Sequence, residues 1–135
     1  MNEKSKKLMK EQRKDIKKSL DDGFKILVVE DELAEDEESQ LTEEGYNCFI
    51  LEYGEFQPSS NERTISQNVY ISYLSENQAD LDEQVIDIIS LISKVKMVSF
   101  VVAKSDRLQV KDIDRYIDRV VFTFKRVIPY ECVRT

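Results

Sequence analysis

The sequence predicts an α+β domain, a mostly antiparallel sheet of about five strands with two helices packed on it, in the order α-β-β-β-α-β-β. Three observations carry this. Two separate stretches repeat apolar residues at spacings of three and four, the period of an amphipathic helix. Between and after them the period drops to two, the period of a strand. Successive period-two segments are joined by polar loops instead of helices, which favours antiparallel neighbours with helices on one face.

The first helix is expected over about residues 3–22. Leu8, Ile16 and Leu20 recur at multiples of four with Met9 beside them, a narrow apolar stripe on a basic segment, and Gly23 offers a stop. From Phe24 to Val29 apolar residues alternate, with Phe24, Ile26 and Val28 on one face and Leu27 and Val29 on the other, so a first, mostly buried strand is expected there. Phe49, Leu51 and Tyr53 share one face of a second strand from about Tyr46. Gly54 to Arg63, with Pro58-Ser59-Ser60-Asn61, is expected as a loop. Ile65, Val69, Ile71 and Tyr73 line a third strand.

The second helix has the stronger pattern, since Leu81, Val85, Ile88, Ile89, Ile92 and Val95 form one broad apolar face. Asp80 followed by Glu83 has the form of a capping box with Asp as the cap. Val98, Phe100 and Val102 predict a fourth strand, Lys104 to Asp114 a polar turn, and Val120, Phe122 and Phe124 the inward face of a fifth. The core should therefore unite Val85, Ile88 and Ile92 with Phe122 and Phe124. No internal repeat or composition break divides the chain, so one domain over residues 1–135 is expected.

Composition narrows the chemistry. The chain has no histidine, which removes Ser/His and Cys/His nucleophile pairs and histidine-containing zinc sites. Its three glycines, Gly23, Gly45 and Gly54, stand apart, whereas a phosphate-cradling loop needs them clustered so that several N–H groups reach one anion. Cys48 and Cys132 are too far apart for a CxxC pair or a metal framework. The amino terminus has lysines but no apolar run after them, and no stretch approaches the roughly 20 apolar residues of a membrane span, so synthesis in the cytoplasm is expected. Neither enzymatic activity nor a cofactor is expected.

Charge is segregated. Residues 1–20 hold eight Lys/Arg against three Asp/Glu, and residues 30–44 hold nine Asp/Glu and no base. The strand-then-acids order at Val29-Glu30-Asp31-Glu32 invites comparison with a phosphoreceiver's magnesium corner. A receiver, however, alternates strand and helix throughout, and the strand ending Tyr73-Leu74-Ser75 is followed by no acceptor aspartate. An EF-hand loop counted from Asp31 would place Leu33 third and Asp36 sixth, which breaks its pattern. The acidic stretch, about residues 30–45, is expected to be a solvated, mobile loop, because it has too few apolar anchors to offset the entropy of ordering.

Several segments together resemble the tail terminator, or tail completion, proteins of long-tailed bacteriophages and related prophages of Gram-positive hosts. They are the basic helix ending Asp21-Asp22-Gly23-Phe24, the acidic segment closing Thr42-Glu43-Glu44-Gly45-Tyr46 and the strand Thr64-Ile65-Ser66-Gln67-Asn68-Val69-Tyr70-Ile71. The helix from Leu81-Asp82-Glu83 and the strand from Tyr116 to Arg126 complete the set. The resemblance covers nearly the whole chain and rests on order and texture. It implies a small α/β subunit of a ring, commonly a hexamer, that caps the tail tube and offers a surface to the head connector. It also implies a place in the virion tail after synthesis in the host, with DNA passing through unread, no membrane partner and no cofactor.

Heterologous contacts, in which one patch meets a different patch of the neighbour, close such rings, and patches of opposite sign orient them. Candidate assembly residues are therefore Lys10, Arg13, Lys14 and Lys17 of the basic helix, and Glu30, Asp31, Glu35, Asp36, Glu37 and Glu38 of the acidic stretch. The alternative is a small acidic module whose carboxylates imitate nucleic acid phosphates and occupy a basic partner. A receiver-like regulatory domain is the third reading.

Overall fold

A computed structural model describes residues 1–31, 47–76, 80–109 and 116–131. Helix α1 spans Glu3–Phe24, strand β1 Leu27–Glu30, β2 Cys48–Pro58, β3 Thr64–Ser75, helix α2 Leu81–Ser93, β4 Val98–Gln109 and β5 Tyr116–Pro129. The order is the predicted one. The strands form one sheet in the spatial order β1-β2-β3-β5-β4. β1 runs parallel to β2, and the other three pairings are antiparallel.

Both helices lie on one face of the sheet. Ile16 and Leu20 from α1 and Ile88 and Ile92 from α2 meet Phe49, Leu51, Val69, Ile71, Tyr73, Val120, Phe122 and Phe124 in a single buried cluster, with Val85 packed against it. The predicted core thus holds. Within it Phe49 stacks on Tyr73 with centroids 4.9 Å apart, and Phe122 on Phe124 at 6.2 Å. Cys48, Leu74 and Ile117 form a smaller cluster with Leu27, Ile50 and Leu108. Cys48 and Ile50 alternate with Phe49 and Leu51 along β2, which places this cluster on the opposite face.

Five local expectations are corrected. Phe24 belongs to α1 and not to the first strand, because it lies one turn beyond Leu20 and continues the stripe, setting its ring edge-on to Phe49 at 5.3 Å. The helix stops not at Gly23 but at Lys25, left-handed at φ 55°, whose N–H returns to the Asp21 carbonyl at 2.9 Å. Gly23 instead permits close approach of the helices, since a Cβ there would meet Leu91 Cδ1 at 2.7 Å.

The loop expected from Gly54 shrinks to residues 59–63, because β2 continues through a register shift between Tyr53 and Phe56. β4 also continues well past Lys104. Its polar half stays in the sheet because Asp106 faces Arg119 and Arg107 faces Asp118 across the ladder, with Arg119 Nε donating to Asp106 Oδ1 at 2.9 Å and Arg107 Nε to Asp118 Oδ1 at 3.2 Å. The capping box does not form as read. Asp80 stands at the N-cap without a side-chain cap bond, and its carboxylate accepts instead from Gln84 Nε2 at 3.0 Å. Among the described residues no helix is long and apolar enough to cross a membrane.

Candidate assembly surface and the arginine beneath it

The four basic candidates are all set by the α1 stripe. Ile16 and Leu20 face the sheet, so Lys10, Arg13, Lys14 and Lys17 are turned to solvent, and all four are exposed. Lys14 and Lys17 line a groove with Ile26, Leu27 and Val28 on the β1 side of the helix. Arg13 lies over β2, its guanidinium 4.0 Å from the centroid of the Tyr53 ring, a cation–π contact.

Of the acidic candidates, Glu30 ends β1 and Asp31 follows it in a left-handed conformation at φ 69°, its N–H donating to the Leu51 carbonyl at 2.7 Å. Both side chains are exposed. The charges of Arg13, Glu30 and Asp31 all act on the Tyr53 phenol within one subunit, Arg13 lowering its pKa and the two acids raising it. Glu35, Asp36, Glu37 and Glu38, and with them most of the loop expected over about 30–45, lie outside the described residues.

Beneath this surface sits a group the sequence reading missed. Arg126 is 1% exposed. Its Nε and Nη2 donate to Gln67 Oε1 at 2.9 and 2.6 Å, its Nη1 reaches the Met9 carbonyl at 3.4 Å, and its guanidinium lies 4.9 Å from the Tyr53 centroid. Gln67 in turn donates from Nε2 to the Gly54 carbonyl at 2.8 Å. Among the described residues no carboxylate forms an ion pair with Arg126. Burial therefore pushes its pKa below the usual arginine value, and the like charge of Arg13 adds to this. The signal was available in the strand alternation. Arg126 continues the inward series Val120, Phe122, Phe124, and Gln67 shares the face of Val69 and Ile71, so the two are direct ladder partners.

Buried Arg126, Gln67 and Gln12 fasten α1 to the sheet. Gln12 Nε2 donates to the Lys96 carbonyl at 3.1 Å, and Ser5 Oγ donates to the Pro129 carbonyl. The result is a basic helix face tied to the sheet and its flanking loop by buried hydrogen bonds. Among the described residues no three His, Cys, Asp or Glu side chains gather closely enough to hold a metal ion.

The same cluster makes an alkaline prediction. Burial raises the Tyr53 phenol above its ordinary value of 10.0; Arg13 and Arg126 pull it back, and Glu30 and Asp31 push it up again. The unfolded phenol ionises first, so this stabilisation is complete below the unfolded pKa and is lost as pH rises through the raised one. Because the Tyr53 hydroxyl is buried without a hydrogen-bond partner among the described residues, Tyr53→Phe should leave stability at neutral pH unchanged or slightly higher. Denaturant melts between about pH 9 and about pH 11 should then show a shallower decline for the variant than for the native protein.

No known family model matches the chain, and no curated protein matches it.

Proposed function

We propose that this chain is a structural subunit of a phage tail, a tail terminator or tail completion protein that assembles as a ring, of hexameric order in the virion. The ring caps the tail tube and joins it to the head connector. The observation that carries this reading is architectural. The sheet order leaves β1 and β4 as outer strands, each paired on one side only among the described residues, so a subunit can take a neighbour on either side. The basic face of α1 is fixed rigidly enough by Arg126 and Gln12 to serve as a docking surface of constant shape. In this reading the protein performs no reaction and needs no cofactor, and DNA passes through the ring without being read.

The test is assembly with the tube. Mixed with tail tube subunits, the protein should arrest tube growth and remain at the tube end, as seen by electron microscopy and by tube length distributions. Reversing Glu35, Asp36, Glu37 and Glu38 to lysine should leave the melting midpoint nearly unchanged while impairing ring formation or tail joining. Tubes that elongate at an unchanged rate with the protein in excess would defeat the proposal. Particles completed at the normal rate by the reversed variant would remove those four acids from it.

A further inference from the structure

Resting on the ring reading, we infer that neighbouring subunits join head to tail through the sheet, the edge of β4 that is unpaired among the described residues in one copy pairing antiparallel with the corresponding edge of β1 in the next. The two edges suit this in direction and height. β2 runs with β1, β3 against them, β5 with them and β4 against them, so β4 is antiparallel to β1. A second copy displaced sideways in the same orientation therefore presents an antiparallel edge, the more stable kind of pairing. The ladder Glu30–Leu51–Ile71–Phe122–Ala103 runs straight across all five strands, so β1 lies level with the middle of β4. With no offset, Glu30 of one copy comes opposite Ala103 of the next, and Val29 opposite Lys104.

The flanks match as well. Leu91 of α2 lies against Gly23 of α1, and Ile88 and Ile92 face the sheet. At about 100° per residue, Asp82 and Ile86 then fall on the flank of α2 turned away from α1, above β4. Ile86 is 64% exposed, and at the β4 edge Val101 is 52% exposed with Phe100 and Val102 beside it in sequence. Proteins usually protect a long edge strand of this apolar character. The opposite side of the molecule carries the groove of Ile26, Leu27 and Val28 rimmed by Lys14 and Lys17. One side is apolar with an acid, Asp82, and the other is apolar with Lys14, Lys17 and Lys18 outnumbering the single acid Asp21. A neighbour's α2 would lie along this α1, bringing the opposite signs together and keeping both helix layers on the same face of one continuous sheet.

The head-to-tail arrangement is tested with two exposed-surface variants, Ile86→Lys with Val101→Lys on the β4 side, and Lys14→Glu with Lys17→Glu on the β1 side. Native mass spectrometry and sedimentation velocity should show the unaltered protein forming a closed oligomer as concentration rises. Each variant alone should stay monomeric with an unchanged melting midpoint, its association weakened about 30-fold or more. Mixed, the two variants should form a one-to-one dimer and nothing larger, because only one sound junction remains. An oligomer insensitive to both variants would overturn the edge pairing and leave the ring reading standing. Variants that remain monomeric when mixed would overturn the head-to-tail order. An unaltered protein that stays monomeric throughout would overturn self-pairing, while the tube-capping assay would still decide the proposed function.

Discussion

Phe122→Ala is expected to destabilise the protein by about 3–5 kcal/mol, a large share of the total stability of a domain this size. Phe122 is fully buried near the middle of the fourth strand position, paired with Ile71 on one side and Ala103 on the other, stacked on Phe124 and sharing the core with Ile88 and Ile92 of α2. Truncation removes the ring's transfer free energy and leaves a cavity that well-tethered strands cannot close. The midpoint of denaturant unfolding should fall with little change in its slope. The neighbouring residue Val121 points to the other face and is only partly buried, so Val121→Ala should cost about 1 kcal/mol or less. Equal effects at the two positions would mean that the helix layer does not cover the face assigned to it.

The contrast between these neighbours was legible in the sequence, because strand alternation survives wherever the inward residues are apolar. Legibility failed where residue type and position disagreed. Phe24 alternates with Ile26 and Val28 and so imitates a strand, yet its four-residue spacing from Leu20 places it on the helix stripe, and packing on Phe49 decides. Lys104 to Gln109 looks like a turn by composition. Cross-strand ion pairs satisfy those charges within the ladder and keep it extended.

The parallel pairing of β1 with β2 could not be read, because the crossover falls in the acidic stretch, where no apolar period indicates direction. Of the assembly candidates, the sequence identified the exposed bases of α1 and the acids at the end of β1 by charge alone. It could not show that Arg13 lies over Tyr53 within the same subunit, where the charges of Glu30 and Asp31 also act, since that depends on how α1 crosses the sheet.

The buried arginine yields the second large effect, and its direction runs against side-chain size. Gln67→Leu removes the only side chain that accepts from the Arg126 guanidinium among the described residues, and leaves a cation facing an apolar side chain with the Met9 carbonyl 3.4 Å away. Stranding a buried charge costs about 3–5 kcal/mol. Arg126→Met removes the larger group but strands only the neutral Oε1 of Gln67, at about 1–3 kcal/mol. The smaller substitution should therefore be the more damaging one.

The double variant, Arg126→Met with Gln67→Leu, should recover most of the loss, because two apolar side chains of similar volume replace a pair whose desolvation neither partner fully offsets. Chemical denaturation of the two single variants and the double one closes this cycle. If the single losses simply add in the double variant, the two side chains act independently, and the guanidinium does not depend on Gln67 to be tolerated inside the fold.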